Sequence, residues 1–195
     1  MIVYPFSAKK AIPRRGKTGK ICVNLPAGRG ACAIMEARGG EDVNKWDDRF
    51  MEMAYLIASW ASCYKENRKI GCVIVKNKRI MTTGYNGAPA GVRTCVERGE
   101  CLREKLGIPS GTKQEICYAT HAEQNAIIQA ARLGVSIDGA TLYCTHQPCG
   151  ICAKMIVNAG IARVVYNEGY PDAFAVEMLN EGGVKLEKYD GAFKR

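Results

Sequence analysis

The stretch HAEQNAIIQAARLGVSIDGATLYCTHQPCGICAKMIVNAGIARVVY (residues 121–166) decides the fold of this 195-residue chain. The spacing of its apolar residues predicts helices over 121–134 and 149–160 and strands over 140–145 and 162–166. Each of the two helices ends at a glycine, which is a common helix stop. Because a helix between two strands carries the chain back to the same edge of a sheet, this order predicts parallel pairing with helices covering the sheet.

The segments on either side complete this pattern. Upstream, the sequence predicts a helix that begins near Asp47, followed by strands over 70–75 and 79–85 with a short turn between them. Downstream, it predicts a short helix over 173–181 and a last strand over 184–189. The fold class is therefore α/β, a three-layer α-β-α domain around a mixed central sheet of about five strands.

The net charge of +9 is concentrated at the N-terminus. Residues 1–34 hold seven basic residues and no acidic ones, which leaves a net charge of +2 for residues 35–195. The N-terminal segment contains prolines, and its apolar residues follow neither helical nor strand spacing. We therefore expect residues 1–40 to be a basic, disordered extension and residues 41–195 to form the folded domain. A nucleic-acid-binding arm is the alternative for the extension. The nearly neutral remainder argues against a nucleic-acid-binding face on the domain.

Length, hydropathy and cysteine usage restrict the class of protein. No stretch approaches the roughly 18 uninterrupted apolar residues of a membrane span, so we expect no membrane insertion. The N-terminus lacks the apolar core of a signal peptide, which favours the cytosol. In a reducing compartment, the ten cysteines are more suited to binding metal or to chemistry than to forming disulfides.

Two short motifs, each at the start of a predicted helix, carry the candidate chemistry. His121 supplies an imidazole, and Cys149 and Cys152 supply two thiolates, which is the ligand set that leaves zinc a fourth position for water. Glu123 lies about 200° around the helix axis from His121, so it is expected beside the metal as a general acid/base and not as a ligand. This H-x-E…P-C-x-x-C order is the signature of zinc deaminases. A redox dithiol or a structural zinc knuckle is the alternative for the second motif alone.

Three segments resemble a known family: TTGYNGAPAG (82–91), HAEQNAI (121–127) and TLYCTHQPCGICAKMI (141–156). They resemble the deoxycytidylate (dCMP) deaminases of the cytidine deaminase superfamily, in particular the bacterial late-competence-operon branch. The resemblance runs from about Lys45 to Tyr189 and implies the cytidine-deaminase-like fold. The N-terminal extension has no counterpart in the family.

The resemblance also implies the reaction and its participants. A catalytic zinc is held by His121, Cys149 and Cys152, and Glu123 carries protons while dCMP is hydrolysed to dUMP and ammonia. The product would supply thymidylate synthesis. The family further implies a homo-oligomer and the effectors dCTP and dTTP.

Two more residues match family positions that contact the substrate. Asn86 matches a residue that hydrogen-bonds the nucleotide sugar, although an asparagine beside a glycine is also typical of a turn. Tyr170 matches a tyrosine near the phosphate and the base, although a packing tyrosine has the same sequence signature. Both assignments rest on the resemblance.

Four cysteines outside the motifs flank or interrupt a long loop from residue 86 to about residue 120. A loop of this length within a domain needs contacts that hold it. Four thiolates form a closed structural zinc site, and the resemblance implies that a second zinc can be bound here, as some members of the family bind one at corresponding places. Ordinary reduced thiols are the alternative for these residues, which are Cys63, Cys95, Cys101 and Cys117.

Other functions stay open at this point. An enzyme of the same chemistry could act on cytidine, guanine or tRNA adenosine, but a tRNA substrate needs a basic groove that the domain charge does not favour. A non-enzymatic competence or interaction protein could keep zinc for structure alone, but such a protein has no use for Glu123. A nucleotide substrate requires a cation for its phosphate, and the candidates are Arg68, Lys69, Arg93 and Arg132.

Overall fold

The computed structural model describes residues 41–109, 112–169 and 172–191. Two single turns of 3-10 helix, Glu66–Arg68 and Gln114–Ile116, accompany the regular elements. In chain order the helices and strands are α1 (Glu41–Ala58), β1 (Gly71–Lys76), β2 (Arg79–Tyr85), α2 (Cys95–Arg98), α3 (Leu102–Lys105), α4 (Ala122–Leu133), β3 (Thr141–His146), α5 (Gly150–Asn158), β4 (Arg163–Glu168), α6 (Ala173–Glu181) and β5 (Lys185–Lys188).

The strands form one five-stranded mixed sheet in the order β2-β1-β3-β4-β5. Strand β1 pairs antiparallel with both β2 and β3, and the later strands pair parallel as β3 with β4 and β4 with β5. The parallel half arises because α5 and α6 carry the chain back between successive strands. The predicted sheet and its parallel half are confirmed.

Helices cover both faces of the sheet, so the domain has the predicted three layers. Alternate residues of each central strand point to opposite faces, as strand geometry requires. On one face, Val73 and Tyr143 pack against α1; on the other, Ile74 and Leu142 pack against α4, α5 and α6. Both apolar clusters are buried, and together they form the core.

Helix α1 begins at Glu41, which is earlier than the predicted start near Asp47. The sequence before Asp47 has few apolar residues at helical spacing, so periodicity could not reveal the first turns. Asp47 consequently lies inside the helix and faces the sheet. Its Oδ1 accepts a hydrogen bond of 2.6 Å from the hydroxyl of Tyr143, and its carboxylate pairs with Arg163 at 2.6 Å.

The Asp47–Arg163 pair is the centre of a charged cluster beside α1. The guanidinium of Arg163, which begins β4, also pairs with Glu187 of β5. Burial raises the pKa of Asp47, but hydrogen bonds from Arg163 and Tyr143 outweigh burial and bring the pKa below its usual value. The cluster therefore joins α1, β3, β4 and β5 through charges that depend on the ionised carboxylate.

Helix α4 packs very closely on β2 because of a glycine. A Cβ atom at Gly84 would lie 2.2 Å from the carbonyl oxygen of Ala122 and 2.5 Å from the amide nitrogen of Ala126. The side-chain amide of Asn125 donates a 2.8 Å hydrogen bond to the carbonyl of Tyr85. These contacts fix the start of α4 against the end of β2.

The predicted loop from residue 86 to about residue 120 contains α2 and α3 and is tied down at several points. The Arg103 guanidinium donates hydrogen bonds of 2.7 Å to the carbonyls of Lys113 and Pro109. Lys65 forms an ion pair with Glu104. Hydrogen bonds and an ion pair of polar side chains therefore hold this segment in place, whether or not its cysteines bind a metal.

Two sequence predictions concern the ends of the domain and membrane insertion. The extension over residues 1–40 is outside the described residues, so the domain boundary there stays a prediction. Among the helices that the structure describes, none combines the length and the apolar character needed to cross a membrane.

Candidate metal centre and active site

Two helix starts meet at one edge of the sheet. His121 directly precedes α4, and its backbone N–H donates a 3.0 Å hydrogen bond to Oε1 of Gln124, which holds the first turn. Cys149 directly precedes α5 and Cys152 lies in its first turn, just beyond the C-terminal end of β3. The C-terminal edge of parallel strands is where α/β sheets place their ligand sites.

These three side chains converge on one point. The Nδ1 atom of His121 lies 3.5 Å from the sulfur of Cys149 and 3.4 Å from the sulfur of Cys152. The three potential ligand atoms all lie within 4.8 Å of one another, and within the described ranges no other group of three or more His, Cys, Asp or Glu residues is as tightly gathered. One nitrogen and two sulfurs at this spacing match a three-ligand zinc site with one open position.

The electrostatics of the group also fit a cation. A hydrogen bond from the Cys152 thiol lowers the pKa of Cys149 to about 4, with further help from His121 and against the effect of burial. The Cys149 sulfur raises the pKa of His121, whose burial acts in the opposite direction. A divalent cation bound between these three side chains would favour the deprotonated form of both thiols.

Glu123 lies beside this group and is only 4% exposed. Burial raises the pKa of its carboxyl above the ordinary value. A carboxylate whose pKa is raised accepts a proton more readily than an exposed one, which suits a general base. Glu123 lies on α4 two residues after His121 and is not one of the three gathered potential ligands, so its role as an acid/base stays a prediction.

A cavity of about 680 Å³ opens over the group and is within the ~300–1,000 Å³ common for small-molecule sites. His121, Glu123 and Cys149 line its inner part. A second, smaller cavity of about 220 Å³ adjoins it. Four residues line both cavities and so mark their junction: Arg68, Ile70, Gln114 and His121.

Asn86 lies at the second cavity, but its side chain is engaged with the backbone. Its Nδ2 donates a 2.7 Å hydrogen bond to the carbonyl of Arg68, and its Oδ1 accepts one of 2.7 Å from the N–H of Ile70. One N–H of Nδ2 is left for another partner, so the predicted contact with a sugar stays a prediction. Tyr170, the other predicted substrate contact, is outside the described residues.

The four cysteines of the predicted second zinc site lie near one another. Burial raises the pKa of the Cys95 thiol, and the nearby sulfurs of Cys117, Cys63 and Cys101 raise it further. Three of the four, Cys63, Cys101 and Cys117, line the smaller cavity. Their sulfurs are not gathered as tightly as the His121 group, so the second site stays a prediction.

Sequence reasoning overlooked part of the cavity wall. His146 and Gln147, at and just after the end of β3, line the larger cavity, and Nε2 of Gln147 is buried with no hydrogen-bond partner in the part of the chain that the structure describes. The sequence does place both residues directly before the P-C-x-x-C motif, and this position could have indicated that they line the site. His146 is not one of the three residues that gather as potential metal ligands.

A family model for the cytidine and deoxycytidylate deaminase zinc-binding region matches residues 44–168. The chain belongs to the cytidine and deoxycytidylate deaminase family. His121, Cys149 and Cys152 all lie within the matched zinc-binding region, and they form the zinc-binding site of this member of the family.

Individual family members support the same assignment. The chain is 41% identical over 145 residues to the deoxycytidylate deaminase of Schizosaccharomyces pombe, covering 74% of this chain and 44% of the relative. It is 37% identical to ComE operon protein 2 of Bacillus subtilis, covering 74% and 71%. The dCMP deaminase of cyanophage S-TIM5 in complex with dCMP and dUMP aligns with a TM-score of 0.59 at 33% identity, covering 76% of this chain and 98% of that one.

The shared length differs among these proteins. The chain spans less than half the length of the two yeast deaminases that it matches, 44% of one and 45% of the other. It covers nearly all of the cyanophage enzyme. The similarity therefore concerns the deaminase domain, and the cytidine-deaminase-like fold is confirmed by it.

Proposed function

We propose that this protein is a zinc-dependent hydrolase that converts dCMP and water to dUMP and ammonia. The observation that carries the proposal is the buried carboxyl of Glu123 beside the group formed by His121, Cys149 and Cys152, at the base of a cavity of suitable size. The similarity to deoxycytidylate deaminases favours this substrate over cytidine, guanine or tRNA adenosine.

Each residue of the site has a separate task in this proposal. His121, Cys149 and Cys152 would hold zinc, which when bound lowers the pKa of a coordinated water to roughly 7. Glu123 would take one proton from water and deliver it to ring N3 of the cytosine as the water oxygen bonds to C4. It would then carry the second proton from the new C4 hydroxyl to the amino group, which leaves as ammonia when the C4–N bond breaks and the C4 carbonyl forms. Its burial supports this role because a raised pKa makes the carboxylate a better acceptor for a proton from water. Asn86 and Tyr170 are retained as proposed contacts to the nucleotide.

The proposal is tested by measuring zinc per chain together with turnover of dCMP, cytidine and dCTP, followed as loss of cytosine absorbance. We expect zinc-loaded protein to deaminate dCMP selectively and to lose this activity after chelation. Zinc-loaded protein that leaves all three compounds intact, with and without added dCTP as effector, would contradict the proposal. In that case activity on guanine or tRNA adenosine would indicate another base, and no activity would favour a non-enzymatic zinc protein.

We also propose a second, structural zinc at Cys63, Cys95, Cys101 and Cys117. The electrostatic influence of the four thiols on one another and the long segment that they flank or interrupt support it. The same measurement of zinc per chain tests this proposal, which predicts two zinc ions per chain. One zinc per chain with full activity would leave the four residues as ordinary thiols.

Three further features of the proposed enzyme follow from the family alone. We propose a cytosolic protein, a homo-oligomer, and regulation by dCTP and dTTP. Measuring the mass in solution with and without each nucleotide tests the second and third together.

A further inference from the structure

The start of α5 is held by a carboxylate that belongs to another helix start. Asp172 directly precedes α6, and its Oδ2 accepts a hydrogen bond of 3.0 Å from the backbone N–H of Gly150, the first residue of α5. The two residues are 22 positions apart in the chain. Because Gly150 directly follows the zinc ligand Cys149, the carboxylate binds the peptide group next to the zinc-binding site.

The peptide group between Cys149 and Gly150 is held at both ends. Its N–H donates to Asp172, and its carbonyl oxygen accepts a hydrogen bond of 2.8 Å from the N–H of Ala153, which is buried. Since a peptide group is planar, these two bonds fix its orientation. On the other side, Cys149 follows the fully buried Pro148. With the chain fixed on both sides, the backbone of Cys149 is held at φ −80° and ψ 170°, and the direction of its side chain follows.

Asp172 is itself anchored by the helix that it precedes. Its Oδ1 accepts a hydrogen bond of 3.1 Å from the N–H of Ala175, and its carbonyl accepts one of 3.0 Å from the N–H of Val176. Ala175 and Leu179 of this helix are fully buried in the core. The two oxygens of one carboxylate therefore connect a zinc ligand to a helix whose position is set by the core.

An aromatic ring covers the same side of Gly150. A Cβ atom at Gly150 would lie 2.6 Å from Cδ1 of Phe174, the second residue of α6, and 3.8 Å from Oδ2 of Asp172. The Nζ atom of Lys154, one turn further along α5, lies 5.3 Å from the centre of the Phe174 ring. The starts of α5 and α6 are therefore packed together as well as hydrogen-bonded.

A carboxylate suits this place better than any other short polar side chain. It offers two acceptor oxygens, whereas serine has one hydroxyl, and asparagine has one carbonyl beside an NH2 group that would face a donor. The N–H groups in the first turn of a helix have no partner within that helix, so both N–H groups here need an acceptor from elsewhere. Negative charge is also favoured at a helix start.

We propose that Asp172 is a positioning residue of the zinc-binding site. By fixing the peptide group between Cys149 and Gly150, it holds the sulfur of Cys149 in the direction that the zinc requires. Residues that orient the ligands of a metal contribute to its affinity without touching it. The proposal concerns zinc binding alone and does not depend on which base is deaminated.

The test compares Asp172→Ser with Asp172→Ala in the full-length, zinc-loaded protein. The serine hydroxyl can still cap α6 at Ala175 but cannot reach Gly150 as well, whereas alanine removes both hydrogen bonds. We expect both variants to hold zinc at this site about 10- to 100-fold less tightly in competition with a colorimetric chelator. Only Asp172→Ala is expected to lose the α6 cap and so to unfold at a lower urea concentration than Asp172→Ser.

Three other variants serve as references. Cys149→Ser removes a ligand and identifies the part of the zinc release that belongs to this site. Gly71→Ala disturbs α1, which carries no zinc ligand, and Glu177→Gln removes an equal charge from an exposed position of α6. Both are expected to hold zinc as wild type does. With Co²⁺ in place of zinc, the visible absorption that Cys149→Ser lacks reports ligand geometry, and we expect it to shift in both Asp172 variants.

The outcomes separate this proposal from the proposed reaction. Wild-type zinc affinity in Asp172→Ser, or a cobalt spectrum identical to that of wild type, would overturn the role of Asp172. An equal loss of zinc in Gly71→Ala would overturn it too, because lower stability would then explain the effect. If the variants lose zinc as expected and wild type does not deaminate dCMP, the proposed reaction fails and the role of Asp172 stands.

Discussion

At the scale of single residues, Glu123 is the proposed acid/base of the site. It is nearly inaccessible to solvent, and burial raises the pKa of its carboxyl, while the metal-binding atoms beside it belong to other residues. In the proposed function, acid/base chemistry and metal binding therefore belong to different side chains, and Glu123 shares the start of α4 with His121 alone. This division makes them separable by mutation.

We predict that Glu123→Gln keeps one equivalent of zinc at the His121 group and loses at least about 10²-fold in turnover of dCMP, because an amide cannot exchange the proton. Metal analysis and an absorbance assay on the same preparation check this. The control is Glu177→Gln, an exposed carboxylate on α6 that lines neither cavity. Loss of zinc, or full activity, in the Glu123 variant would show that its role has been misassigned.

At the scale of elements, the contact between α4 and β2 positions the site. Gly84 permits an approach that no other residue would allow, and the start of α4 carries both His121 and Glu123. Gly71 makes an equally close contact with α1, which carries no zinc ligand, since its Cβ would lie 2.1 Å from the carbonyl oxygen of Ala54. A substitution at Gly84 would shift α4, which carries site residues, whereas a substitution at Gly71 would shift only α1. Comparing the two variants therefore separates an effect on the site from an effect on the stability of the domain.

We predict that Gly84→Ala and Gly71→Ala each lower the free energy of unfolding by about 1–3 kcal/mol, because the added methyl group forces a helix away from the sheet. Only Gly84→Ala is expected to release zinc faster to a chelator under conditions where both variants are folded. Urea unfolding gives the first quantity and a colorimetric chelator gives the second. Equal rates of zinc release would contradict the link between Gly84 and the site.

At the scale of the whole molecule, the charged cluster around Arg163 holds the layers together at a distance from the chemistry. Arg163 begins β4, whereas the zinc-binding cysteines follow the opposite end of neighbouring β3. The cluster joins one helix and three strands through Asp47, Tyr143 and Glu187. It is therefore a stabilising feature with no direct part in turnover.

We predict that Asp47→Asn lowers the free energy of unfolding by about 1–2 kcal/mol at pH 7 and leaves kcat unchanged, because Arg163 keeps Glu187 as a partner. The pKa of Asp47 is lowered in the folded state, so its contribution is complete above the unfolded value of about 3.8 and is lost as the pH falls through the folded value. Thermal melts between pH 7 and pH 3 are expected to converge for wild type and the variant. Glu52→Gln, at an exposed position of α1, serves as the control, and curves that stay parallel down to pH 3 would contradict the prediction.

The sequence by itself determined the order of the strands and of the helices that cover them, the mixed sheet and the zinc-binding site of this protein. Helix and strand periods are local properties, and the H-x-E and P-C-x-x-C motifs lie within single helix starts, so a linear pattern is sufficient to identify them. Only the tertiary structure decided that Arg68 stands at the junction of two cavities, that the Asn86 amide is bound to the backbone, and that Asp47 pairs with Arg163, which is 116 residues away in the chain. Such contacts depend on how distant segments pack, and that packing leaves no periodic signal in the sequence around any one of the residues.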